Sequence, residues 1–113
     1  PHAEAALAGA AARAQEARAA LDELAALDLA PLVDADGRLA VAGWRALSAA
    51  RQANALRAWW AAQAGHSAPQ PLVTRLLAEV PPQGVARWPA GGGWWCALRS
   101  GRLQVVAPVG HAG

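Results

Sequence analysis

Residues 81–106 read PPQGVARWPAGGGWWCALRSGRLQVV, and this stretch decides the fold. Pro81-Pro82 stops any helix arriving from upstream. Beyond them the apolar residues recur in short bursts broken by glycine, which is the pattern of strands rather than of a 3.6-residue period. The spacing predicts strands over Val85–Trp88, Trp94–Leu98 and Leu103–Val106. Pro89–Gly93 and Arg99–Arg102 are the connections between them, and Ser100-Gly101 between apolar runs is a two-residue hairpin loop.

Upstream the period changes. From Ala3 to about Leu29 the chain is rich in alanine, the best helix former, and contains no proline. Arg18 and Asp22 stand four apart, where a helix would pair them. One long helix of about 40 Å is expected, ending before Pro31. Leu7 is the only large apolar anchor of its first half, so part of it is expected to pack against something outside this domain, as an interdomain connector would. Asp34-Ala35-Asp36-Gly37 signals a turn, and Arg38-Leu39-Ala40-Val41 alternates like a short strand. Ser48 reads as the N-cap of a helix over Ala49–Ala64 closed by Gly65, with Ala55, Leu56, Trp59 and Trp60 on its apolar face. Adjacent residues lie about 100° apart on a helix, so Trp59 and Trp60 are not both expected in one core. A further helix covers about Gln70–Val80, with Leu72, Val73, Leu76 and Leu77 inward and Arg75 outward.

The expected fold is therefore α+β: a long N-terminal helix, two further helices, and a small antiparallel sheet formed mainly by the C-terminal strands. Residues 1–30 form the connector helix, 31–107 the domain proper, and 108–113 a linker or tail. The length of 113 residues leaves no room for a two-domain enzyme. Alanine supplies 33 of the residues, and 14 Leu, 8 Val, 6 Trp and one Cys remain for a small core. No run of about 18 to 20 apolar residues suits a membrane span. The opening Pro1-His2-Ala3-Glu4 lacks an initiator Met and a signal-peptide pattern, and reads as a cut. One cysteine, Cys96, makes no internal disulfide, which points to a reducing, cytoplasmic setting.

The charge is divided along the chain. Residues 1–36 carry seven acids against Arg13 and Arg18; residues 37–113 carry eight arginines against Glu79 alone. So basic a segment attracts phosphate, and arginine also stacks on bases. Catalytic chemistry has few candidates. Gly91-Gly92-Gly93 is neither a Walker A loop, since the chain has no lysine, nor a dinucleotide fingerprint, and reads as a hairpin loop. Were Gly37 the sixth residue of a calcium loop, Leu32 and Gly43 would fall on ligand positions. His2, His66, His111 and Cys96 are too scattered for zinc. Ser48 is explained as a cap, Ser100 as a turn residue, and the paired acids Asp34/Asp36 and Asp22/Glu23 as solvated surface. The chain is expected to be non-catalytic. On a strand Trp94 and Trp95 point to opposite faces, so one of them could stand beside the arginines and stack on a base, but in a chain without Phe or Tyr tryptophan has to do all the aromatic packing, and core or interface is the favoured reading.

One resemblance ties these features together. LDELAALDLAPL (21–32), DGRLAV (36–41) and LSAARQANALRAWWAAQ (47–63), in that order, resemble the central region of bacterial tRNA(Ile)-lysidine synthetases. The family helix has the pattern LSxxRQxxxLRxWL, matched by Leu47, Ser48, Arg51, Gln52, Leu56, Arg57 and Trp59, with Trp60 where Leu is usual. The resemblance implies the substrate-recognition domain of an ATP-dependent ligase that attaches lysine to C2 of the wobble cytidine in the CAU-anticodon isoleucine tRNA. ATP would belong to an N-terminal domain with the loop SGGxDS, a sequence this chain lacks, so no cofactor is expected here. The implied partners are tRNA and that N-terminal domain, with no membrane. Arg51 and Arg57, which match the family helix, are the first candidates for tRNA contact. Arg45 and Arg75 follow on charge, with Arg99 and Arg102 behind them. Where many members carry an Arg-Arg-Tyr-like cluster before the last turn, this chain has Ala97-Leu98-Arg99, so no RNA contact is carried over to that hairpin. The alternative is a structural docking module whose Trp-rich face packs against a partner domain. Clustering of Arg45, Arg51, Arg57 and Arg75 would favour RNA, and scatter would favour docking.

Overall fold

The structure is a computed structural model that describes residues 2–111, with side chains from residue 8 onward. The order of elements is α1 (His2–Leu29), β1 (Leu39–Ala40), α2 (Val41–Arg45), α3 (Ala49–Ala64), α4 (Gln70–Glu79), β2 (Ala86–Gly91), β3 (Trp94–Arg99) and β4 (Arg102–Val106). The four strands form one antiparallel sheet in the order β1-β4-β3-β2. The α+β expectation holds, with the sheet built mainly from the C-terminal strands.

Local chemistry explains most boundaries. Ser48 caps α3 by accepting from the Arg51 amide, and Gly65 ends it in the left-handed region at φ 83°. Pro69 precedes α4, Pro71 lies in its first turn, and its C-cap is Val80 just before Pro81-Pro82. Ser100 and Gly101 take φ 54° and 73°, both positive as a type I′ hairpin demands, so Arg99 lies opposite Arg102. Two expectations shift. Val41 is not strand: β1 stops at Ala40, and VAGWR forms the short α2, in which Gly43 lets the Leu32 side chain approach where a Cβ would stand. Pro89, Ala90 and Gly91 belong to β2, with a register irregularity between Pro89 and Gly91; proline is tolerated because β2 is an edge strand.

The core lies between the inner sheet face and the helices. Leu39, Val41, Trp44, Ala55, Leu56, Trp59, Trp60, Leu72, Val73, Leu76, Trp88, Cys96, Leu98 and Leu103 are buried in one cluster. Both Trp59 and Trp60 are buried, against expectation. Helix α3 is covered on several sides, touching α1, α2, α4 and β4, so its buried arc exceeds the single stripe assumed for a surface helix. Trp44 donates its indole N–H to the Gln52 carbonyl at 2.8 Å, Trp59 to the Gly37 carbonyl at 2.8 Å, and Trp88 to Glu79 at 3.1 Å. The Trp60 indole N–H has no hydrogen-bond partner and lies among the rings of Trp59, His66 and Trp94. Four of the six tryptophans are thus interior, Trp94 packs on Trp60, and Trp94 and Trp95 are the ones left half-buried for contact outside the domain.

Helix α1 buries side chains against the domain near its C-terminal end, through Leu24, Ala25, Asp28 and Leu29, and side chains 10–20 are exposed. This overhang gives the molecule extents of 57 × 33 × 26 Å. Leu21 and Leu27 are 48% and 73% exposed, unusual for leucine on an otherwise docked turn. The anticipated pairing of Arg18 with Asp22 does not close to salt-bridge distance, as expected of two long solvated side chains. No helix among the described residues is long and apolar enough to cross a membrane.

Candidate nucleic-acid interface

The four arginines singled out by sequence fall in four different settings. Arg45 lies at the end of α2 with its guanidinium turned into the protein. It donates to the carbonyls of Leu76 (3.1 Å), Leu77 (2.8 Å) and Val80 (2.9 Å) and to the Gln52 side chain (3.2 Å). Those carbonyls lie at the C-terminal end of α4, where Leu76 also accepts from the Val80 amide and a cation is favoured twice, by hydrogen bonding and by the helix dipole. Partial burial in turn lowers the Arg45 pKa.

Arg51 reaches across to α1. Its Nε donates to Asp28 Oδ2 at 3.1 Å and its Nη2 to Oδ1, a two-point pairing on a carboxylate whose residue is only 6% exposed. The Arg51 hydrogen bond holds the Asp28 carboxyl below its ordinary pKa despite the opposing effect of burial. Asn54, one turn on, donates to the Leu21 carbonyl at 2.8 Å, so α3 grips α1 at two points. Arg75 is closed on Glu79 within α4 at 2.9 and 3.1 Å. Arg57 is the least engaged of the four: it is exposed, has no carboxylate within salt-bridge distance among the described residues, donates to Gln70 at 3.3 Å, and lines a groove with Arg18, Asp22, Asn54 and Ser67.

The arginines therefore do not cluster, an outcome that by itself speaks for the docking alternative and against these four as one RNA contact, and the family-like helix is largely structural. Ser48 caps, Arg51 pairs with Asp28, Leu56 and Trp59 fill the core, and Gln52 donates to the carbonyls of Arg45 (3.0 Å) and Leu47 (2.8 Å) to fix the α2–α3 turn.

A second arginine group lies on the outer face of the sheet. Side chains alternate along each strand. Trp88, Cys96, Leu98 and Leu103 point into the core, and Arg87, Trp95, Ala97, Arg99, Arg102 and Gln104 point away from it. The register sets Arg87 opposite Ala97, Ala97 opposite Gln104, and Arg99 opposite Arg102. A depression of about 360 Å³ lies over this part of the face, lined by Arg38, Ala97, Arg99, Ser100, Arg102 and Gln104. Beside it the Arg87 guanidinium sits 4.4 Å from the centre of the Trp95 ring.

Acids are few on this face. Asp34 approaches Arg102 at 3.6 Å and Arg38 at 3.9 Å, and Asp36 accepts from Arg38 at 2.8 Å. Asp34 is already tied to the amides of Asp36 and Arg38, and the Arg38 amide bond leads the interactions that lower its pKa. Arg87 and Arg99 have no carboxylate within salt-bridge distance among the described residues. The sequence carried the signal for this cluster. A two-residue loop after Arg99 places Arg102 directly across from it, and alternation then sets Ala97 and Trp95 on the same face.

The Cys96 thiol is buried and pushed up to about 12, far from a reactive thiolate at neutral pH. Gly92 and Gly93 turn into β3, so the glycine run supplies no helix N-terminus for a phosphate. Among the described residues no three His, Cys, Asp or Glu side chains are grouped as metal ligands.

The fold and the face define a small α+β module with an arginine-rich outer sheet surface. Comparison with known families is specific. Residues 39–104 match the TilS substrate binding domain, and the chain belongs to that family. It is also similar to the tRNA(Ile)-lysidine synthase of Bordetella pertussis (strain Tohama I), 51% identical over 63 residues. That match covers 54% of this chain and 19% of the relative, so the aligned part is about a fifth of the relative's length.

Proposed function

We propose that this chain is the part of a tRNA(Ile)-lysidine synthetase that holds tRNA while another domain performs the ATP-dependent attachment of lysine to the wobble cytidine. The observation that carries the reading is the outer sheet face, where Arg38, Arg87, Arg99 and Arg102 surround small or polar residues and Trp95 adds an aromatic surface. A chain that needed the sheet only for stability would gain nothing from like charges at directly opposed positions such as Arg99 and Arg102. Phosphate contacts of this kind position a nucleic acid more than they read its sequence. Helix α1 would connect this module to the ATP-binding domain, its exposed leucines facing that side. Arg57, unpaired with any acid, is a second contact candidate, whereas Arg45, Arg51 and Arg75 hold the domain together.

The test is binding of the chain to the CAU-anticodon isoleucine tRNA and to an unrelated tRNA, each at low and moderate salt. The expected result is affinity that falls linearly in log K against log salt as counterions are released. Absence of binding at low salt would overturn the reading.

A further inference from the structure

The outer sheet face has more structure than a basic patch requires. Three rows of outward side chains cross the strands. Arg99 and Arg102 form one row, Arg87, Ala97 and Gln104 the next, and Pro89, Trp95 and Val106 the third. In the centre stands Ala97, the smallest side chain of the group, and the depression opens over it. Its volume of about 360 Å³ lies within the range of about 300 to 1,000 Å³ typical of small-ligand sites. Along β3 the character changes within five residues. Arg99 is at one end, Ala97 is the floor, and Trp95 with Arg87 layered on it is at the other. The exposed Gln104 side chain lines the depression and adds an amide donor and acceptor there.

We propose that the Ala97 floor is a subsite for one unpaired nucleotide of the bound RNA. Its phosphate lies between Arg99 and Arg102, and its base stacks on the Trp95–Arg87 layer. This inference rests on the reading that the sheet face meets RNA, and deepens it. Cross-strand like charges repel, so Arg99 and Arg102 favour an anion placed between them, and of the two only Arg102 has an acid nearby among the described residues, Asp34 at 3.6 Å. A stacking layer discriminates structure: bases inside a duplex have no free ring face to offer, whereas unpaired bases stack on aromatic rings and guanidinium planes. The alternation that buries Cys96 and Leu98 fixes Trp95, Ala97 and Arg99 on one rigid strand, so the site is preformed.

The experiment compares three probes on the 113-residue chain: the CAU-anticodon tRNA, a short single-stranded RNA, and that strand annealed to its complement. Trp95→Ala is expected to weaken tRNA and single-strand binding about tenfold, in line with the loss of one stacked base, and to leave duplex binding unchanged. Ala97→Leu, which fills the floor, should do the same, and Trp95→Phe should keep most of the affinity. Arg99→Ala should weaken all three probes. Trp95→Ala and Ala97→Leu variants that bind every probe like wild type, while Arg99→Ala does not, would overturn the nucleotide subsite and leave the RNA reading standing. Wild-type chain that binds none of the probes would overturn both. Trp95→Phe and Ala97→Leu keep the test decisive should Trp95→Ala fail to fold.

Discussion

The helical half and the sheet of this molecule use arginine in opposite ways. On the helices Arg45, Arg51 and Arg75 are each closed on acceptors of the same chain: the carbonyls ending α4, the Asp28 carboxylate of α1, and Glu79 one turn away. On the sheet Arg87 and Arg99 meet no acid, and Arg38 and Arg102 share two. The residue type is the same in both regions. What separates the two groups is whether a protein acceptor is already in place; among the helical arginines Arg57, which meets no acid, stands with those of the sheet.

The sharpest way to break this contrast is to strip the sheet. Replacing Arg87, Arg99 and Arg102 together by alanine should lower tRNA affinity about a hundredfold or more at low salt and make the log–log salt slope shallower by about three. Thermal melting of this variant should match wild type, because the three side chains are outside the core. The opposite pattern is expected for Arg45→Ala. Loss of its bonds to three carbonyls should reduce stability by about 1–3 kcal/mol, readable by denaturant unfolding, while the folded fraction binds tRNA as before.

A smaller effect is expected at the α1–α3 junction. Asp28→Asn or Arg51→Ala should loosen α1, giving faster amide exchange over residues 21–29, with tRNA affinity little changed. The depressed Asp28 pKa gives the junction a pH signature. Stability from this pair is complete above the ordinary carboxylate value of 3.8, where the unfolded chain is also ionised. It is lost as pH falls through the lower value of the folded state, because the unfolded chain takes up the proton first. Acid unfolding of wild type should therefore include a component that Asp28→Asn removes. The smallest effect belongs to Arg75→Ala. Its bridge is 48% and 44% exposed on the two sides, and such pairs contribute little, so both melting and tRNA binding should overlay wild type.

Much of this architecture was legible in the sequence. Ser48, Gly65 and Pro81-Pro82 mark helix ends by chemistry local to each position, and Ser100-Gly101 fixes the β3–β4 register. Helix α2 was not legible, since five residues, VAGWR, are too few for a period to emerge. Burial of both Trp59 and Trp60 depends on how many elements surround α3, which no helical wheel contains. The same limit explains the arginines. The acceptors of Arg45 lie 31 to 35 residues ahead in the chain and that of Arg51 lies 23 behind. The match of the α3 segment to a family pattern identified the family correctly, yet most of the matching side chains serve the fold. The sheet face, by contrast, follows from alternation and hairpin register alone.

The contrast between the two regions is settled by mapping tRNA onto the chain with amide and indole NMR shifts. Residues 86–106 and the Trp95 indole should shift on titration at low salt, with smaller changes near Arg57 and none along α4. Shifts concentrated around Arg45, Arg51 and Arg75 with an unmoved Trp95 indole would contradict the assignment of the sheet as the RNA-facing surface.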